Sequence, residues 1–121
     1  MIDEIYKKVE SKLKDHPSRL KHTLGVLEVA VELAKIYSVD TESASIAALY
    51  HDYTKYDEIH DQIKDLDPKD IEDYRQFLIM YHALSAEKKL MQDFGITDSD
   101  ILNAIRYHIW GRPRMSVLEK I

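Results

Sequence analysis

The sequence predicts an all-α protein, a single bundle of about six helices. Gly and Pro number only three each in 121 residues, while the good helix formers Leu, Ile, Ala, Glu and Lys are abundant. Apolar residues recur at three- and four-residue spacing over much of the chain, which is the period of an amphipathic helix. Start and stop residues cut those periodic stretches into pieces of helical length. A chain this long has room for one modest hydrophobic core, and no change of composition or internal repeat suggests a second domain.

Ile2, Ile5, Tyr6, Val9 and Leu13 predict a first helix over residues 2–14, its Lys/Glu-rich face solvated. After His16-Pro17 a long helix is expected to about Tyr37, with Leu20, Leu24, Leu27, Val31 and Ala34 along one side and His22 inside it. Asp40 is a candidate N-cap for a third helix. Its Ala44, Ala47 and Ala48 permit close approach of a neighbouring helix, and it delivers His51-Asp52 near its end. Residues 56–66 read as charged and irregular. Asp67-Pro68-Lys69-Asp70 is an N-cap with Pro at the first helical position. Ala83 to Phe94 is helical with Gly95 as its stop, and Thr97 with Asp100 resembles a capping box for a helix through His108 that Gly111 and Pro113 end. Ser116-Val117-Leu118-Glu119 matches another capping-box start, two residues before Ile121. The expectation is one domain, 1–121, whose last helix is cut off and which lacks its C-terminal helices, with a short C-terminal tail docked on the bundle as the alternative.

Composition excludes several classes of function. With no cysteine, neither a disulfide framework nor a thiolate zinc site is possible, so any metal must use His, Asp, Glu or water. No apolar run approaches the ~20 residues that span a bilayer, and Met1-Ile2-Asp3-Glu4 does not begin a signal peptide; a cytoplasmic location is expected. A net charge of −5 without a basic block argues against a grip on long nucleic acid. A small phosphorylated ligand remains compatible, given local positive charge from metal, Arg or Lys.

Four of the six histidines fall in predicted helices or at their ends: His22, His51, His82 and His108, with Asp52 directly after His51. A lone helical His is more often a core or surface residue than a ligand. Four of them on four separate segments are what a metal site in the middle of a bundle requires, because each helix must send a donor inward. Neighbours on a helix point about 100° apart and chelate poorly from its middle. Near a helix end the backbone relaxes, and His51 and Asp52 can face one ion.

Arg19-x-x-His22 followed by Leu49-Tyr50-His51-Asp52-Tyr53-Thr54-Lys55 resembles the opening signature of the HD superfamily of metal-dependent phosphohydrolases. Tyr81-His82-Ala83 with Ala86, and above all the run from Asn103 through Arg106-Tyr107-His108-Ile109-Trp110-Gly111-Arg112-Pro113 to Ile121, resemble its YqeK family closely. The resemblance covers nearly the whole chain. It implies an all-helical fold and symmetric hydrolysis of diadenosine tetraphosphate to two ADP, with iron as the divalent metal and manganese or magnesium as alternatives. It places the metal ligands on His22, His51 and Asp52 and the nucleotide contacts on His82, His108 and the backbone of Ile109. In that family the helix starting at Ser116 continues to an Asp that completes the metal site.

The chemistry of anhydride cleavage suggests further roles. Asp52 and Lys55 are read as catalytic, the first through the metal and its bound water, the second as a charge stabiliser three residues on; an ordinary Asp-Lys helix pair is the alternative for Lys55. Arg19, one turn before His22, offers a planar fork to a phosphate, or is a solvated surface Arg. His82 and His108 are either ligands of a second metal or donors to phosphate and acid for the leaving ADP. Trp110 is a base-stacking candidate or a core or rim residue, and His16 and His60 read as surface residues. An HD-type phosphatase acting on mononucleotides and a low-activity nucleotide- or metal-binding chain are the competing functions, and a homodimer stays open.

Overall fold

The computed structural model describes residues 1–109 and 111–121, so the reading of Trp110 as a stacking residue falls outside the described residues. Among those residues it holds eight helices: α1 (Ile2–Lys12), α2 (Pro17–Ile36), α3 (Thr41–Tyr50), α4 (Ile59–Ile63), α5 (Pro68–Asp73), α6 (Met80–Phe94), α7 (Ser99–Arg106) and α8 (Val117–Lys120). The protein is all-α, as expected. The excess over six comes from two short pieces, the single turn of α8 after Ser116 and α4 within the stretch expected to be irregular.

Helix α3 is the axis of the bundle and packs against α1, α2, α6 and α7. Six of its ten residues are buried, Ala44, Ile46, Ala47, Ala48, Leu49 and Tyr50. The alanines let neighbouring backbones come close, and each fully buried Leu or Ile around them contributes about 1.5–3 kcal/mol. Asp40 caps α3, its carboxylate accepting from the Ser43 amide at 3.1 Å. Ile5, Val9 and Leu13 of the first segment are all at most 1% exposed against this core.

Several boundaries differ from expectation for identifiable reasons. Helix α7 is capped by Asp98, whose carboxylate accepts from Asp100 N at 2.9 Å, and not by Thr97. It ends at Arg106, so His108 and Ile109 stand in the turn beyond it. Helix α6 begins at Met80, three residues before Ala83, on consecutive turns in which Met80 N donates to Phe77 O and Tyr81 N to Leu78 O. On α2 the core side runs through Leu20, Thr23, Leu27, Ala30 and Ala34, because the hydroxyl-bearing Thr23 takes an inward position that an apolar count passes over. Ser116 caps α8 by accepting from Glu119 N at 3.1 Å, but the Glu119 carboxylate is held by Arg112 at 2.8 and 2.5 Å instead of closing the box.

Two polar ties fix the loop that follows the His51-Asp52 segment. Thr54, fully buried, donates its hydroxyl to the carbonyl of His82 at 2.9 Å, and Gln62 Nε2 donates to Thr54 O at 2.8 Å. The turn after α3 is thereby bolted to the start of α6 and to α4. Arg106 at the end of α7 pairs with Asp70 on α5 at 2.5 and 3.2 Å and with Glu87 on α6 at 3.6 Å, so α5, α6 and α7 are joined by one largely buried charge cluster. Thr54→Val keeps the shape and removes the hydroxyl donor, leaving the His82 carbonyl short of a partner. Its expected cost is about 1–3 kcal/mol of unfolding free energy in urea titration; an unchanged midpoint and slope would show that the tie is dispensable.

Candidate metal centre

Four helical segments end on one carboxylate. Helix α2 carries Arg19 and His22 one turn apart, α3 closes with His51 as its C-cap, and Asp52 follows at once. His82 is the third residue of α6, and His108 lies in the turn after α7. Asp52 is only 4% exposed. Around its Oδ2 stand Arg19 Nη1 at 3.2 Å, His51 Nε2 at 3.2 Å and His22 Nε2 at 3.9 Å. Around Oδ1 stand His82 Nε2 at 3.3 Å and His108 Nε2 at 3.8 Å.

The ends of two helices orient two of these rings. The last carbonyls of a helix have no partner within it, and here His51 Nδ1 lies 2.6 Å from Ala48 O while His108 Nδ1 lies 2.6 Å from Ile105 O. A carbonyl only accepts, so each Nδ1 bears the hydrogen, and in the neutral ring each Nε2 turns a lone pair toward Asp52. Burial pushes the His108 imidazole down to about 4, which leaves it neutral at pH 7. Burial together with the Arg19 charge lowers His22 as well. Burial opposes the ionisation of Asp52, and N–H groups or positive charge presented by His51 and His82 would be needed to hold its carboxyl below the usual carboxylate range.

An anionic carboxylate surrounded by ring nitrogens that present lone pairs is a set of acceptors facing acceptors, and it is stable only with positive charge among them. Arg19 supplies some at Oδ2. On the other side His82 Nε2 is buried and makes no hydrogen bond, despite its 3.3 Å approach to Oδ1. Two triplets, His22-His51-Asp52 and Asp52-His82-His108, each offer one donor atom per residue with all three within 4.8 Å of one another. Ligand bonds of roughly 2.0–2.2 Å to imidazole and carboxylate need only slight contraction of such a group. The donor set therefore fits a divalent cation: several imidazole nitrogens, one anion, and, on His51 and His108, second nitrogens fixed by backbone carbonyls.

The structure thus gathers His22, His51, Asp52, His82 and His108. Arg19, read from the sequence as a phosphate-binding fork or a solvated surface Arg, is gathered too and lies against Asp52. Lys55 has its amide on the Asp52 carbonyl at 3.1 Å, and its charge is close enough to depress His22; an Asp52–Lys55 side-chain pair is not among the ion pairs of the described residues. Ile109 is half-buried in the turn with His108. Thr54 and Gln62 were missed by sequence reading, and the only available signal was the position of Thr54 two residues after Asp52. His60 is exposed, as expected, between Glu58 and Asp61. A cavity of about 380 Å³ with an alanine floor (Ala44, Ala47, Ala48, Ala104) opens against His51 and His108, and an open groove runs past His22.

The sequence profile of the HD domain matches residues 19–121. The chain is similar to the symmetrical bis(5'-nucleosyl)-tetraphosphatases of Halalkalibacterium halodurans, at 42% identity over 93% of this chain and 60% of that one, and of Bacillus subtilis, at 38% over 93% and 61%. It therefore spans about three fifths of the length of these curated relatives. A crystal structure from Clostridium acetobutylicum, described as a predicted HD superfamily hydrolase involved in NAD metabolism, superimposes with a TM-score of 0.82 at 38% identity, covering 99% of this chain and 64% of that one. With a profile match over most of its length and a buried His/Asp centre at the junction of its helices, the chain belongs to the HD domain family.

Proposed function

We propose that the protein is a divalent-metal hydrolase that cleaves a dinucleoside tetraphosphate symmetrically into two nucleoside diphosphates. The observation that carries this is the convergence of four imidazoles and Arg19 on the buried Asp52 carboxylate, and the activity named for the relatives at 38–42% identity gives the substrate class.

His22, His51 and Asp52 are the residues proposed to hold the cation, with iron first and manganese or magnesium as alternatives. When bound, such an ion acidifies water and polarises a phosphoryl oxygen. Asp52 supplies the negative charge of the ligand set. Arg19, on the rim of the site with its side chain 22% exposed, offers guanidinium hydrogens to a phosphate. Lys55 adds a second positive charge on the same flank, which offsets the net acidity of the chain for an anionic substrate. His82 and His108 face the polyphosphate from the opposite side. With Nδ1 of His108 committed to Ile105 O, proton transfer by this ring runs through Nε2. The backbone of Ile109, in the same turn, is the proposed contact to the nucleotide. Residues 1–121 form a single HD domain in this proposal, with a cytoplasmic location and a homodimer left as expectations; among the described residues no helix is long and apolar enough to cross a membrane.

Asp52→Asn keeps volume and removes the charge. ADP release from diadenosine tetraphosphate should fall by more than about 100-fold, beyond the roughly 10- to 100-fold that changes outside the ligand shell cost. Thermal denaturation gives a second measure. Manganese at about 100 times its dissociation constant should stabilise the unsubstituted protein by about 2.7 kcal/mol and leave Asp52→Asn unmoved. An equal shift in both proteins would remove Asp52 from the metal site.

Product analysis tests the reaction itself. Chromatography of a partial digest of diadenosine tetraphosphate is expected to show ADP alone. ATP with AMP would mean asymmetric cleavage, and inorganic phosphate from a mononucleotide, with the dinucleotide left intact, would establish the HD-type nucleotide phosphatase instead.

A further inference from the structure

His16 and Tyr56 form a contact that the chemistry above does not use. Their rings are stacked with centroids 3.9 Å apart and planes within 9°. Tyr50 and Tyr53 make a similar stack inside the core, where both are buried. Tyr56 is different, because it is 48% exposed and gains little from burial. Its ring is held at the surface by His16 rather than covered by the protein.

The position of the pair gives it a direction. The His16 carbonyl accepts from Arg19 N at 3.0 Å, so His16 stands one helical turn before the guanidinium that reaches Asp52. Tyr56 directly follows Lys55, whose amide is bonded to the Asp52 carbonyl. The two chain segments that bring cationic groups to the Oδ2 side of the metal centre, the start of α2 and the loop after α3, therefore each end in one ring of the stack. Phosphates laid along Arg19 and Lys55 would leave their attached nucleoside beside a flat π surface that is already assembled. Nucleobases stack on such surfaces with little regard to their edge pattern, and Tyr and His lose few rotamers in doing so.

We propose that the His16–Tyr56 stack is a platform for a purine base, holding one nucleoside of a substrate whose phosphates lie along Arg19 and Lys55. This rests on the dinucleoside polyphosphate reading given above and adds the place where one base is held. The platform selects for a base and not for adenine over guanine, since it presents a face and no hydrogen-bonding edge to it.

Tyr56→Trp turns the platform into its own reporter. Its emission, less that of the unsubstituted chain, is titrated with ADP and separately with inorganic pyrophosphate, both with manganese present. Saturable quenching by ADP and none by pyrophosphate is the expected result. Quenching by neither, or by both alike, overturns the proposal. Tyr56→Ala is then assayed on diadenosine tetraphosphate and is expected to raise KM about tenfold, the loss of one base stack, with kcat and the thermal midpoint unchanged and Tyr56→Phe restoring KM. If the ring is only a clasp between α2 and the loop, Tyr56→Ala instead lowers the midpoint and leaves KM where it was. The two readings fail separately. ADP quenching without dinucleotide cleavage keeps the platform and removes the proposed reaction, whereas cleavage with an unchanged KM in Tyr56→Ala removes the platform alone.

Discussion

A buried carboxylate has to be compensated, and the arrangement of this bundle follows from how Asp52 is compensated. At 4% exposure it has almost no water, and an isolated charge in such a place would neutralise or unfold its surroundings. Arg19 and His22 reach it from α2, His51 from the adjoining residue, His82 from α6 and His108 from the end of α7. No two of these four groupings share a helix, so the carboxylate is met only when the helices are packed at their native angles. The site and the fold are for that reason one object.

The helix ends do more than terminate structure. The carbonyls of Ala48 and Ile105, left over by α3 and α7, fix His51 and His108 through Nδ1 and turn Nε2 inward. This is the outer-shell device that metal sites use to choose an imidazole tautomer, obtained here from backbone without spending a side chain. Around it, the Thr54 bond to the His82 carbonyl and the Arg106 cluster with Asp70 and Glu87 fasten the loop after α3 and the helices α5, α6 and α7. Burial raises Glu87, with Arg106 opposing, so this second cluster is also a charged assembly whose partners must all be present.

Electrostatic character is divided in space. The chain carries a net charge of −5, yet the flank of the metal centre on the α2 side presents Arg19 and Lys55, and the opposite flank presents His82 and the His108 imidazole, which burial keeps unprotonated. A polyanion approaching this protein meets general repulsion and a local attractive strip. Such a pattern favours a compact phosphate chain that fits the strip over a long polymer that would overlap the acidic remainder.

The sequence alone determined the helical class, most of the helix starts and the chemical types at the centre. Those are local properties: a Pro at a first turn, an Asp at a cap and apolar spacing of three and four act over a few residues. Where local signals competed, neighbouring residues decided, as when Asp98 took the cap of α7 from Thr97 and Thr23 turned the inner face of α2. The pattern of His22, His51-Asp52, His82 and His108 named the donors without showing that they meet. Only the tertiary structure decided that Arg19 sits on Asp52, that both carboxylate oxygens are surrounded, that Thr54 locks the loop, and that His16 stacks on an exposed Tyr56. Distances between residues on different helices depend on crossing angles and side-chain packing, which no periodicity within one helix encodes.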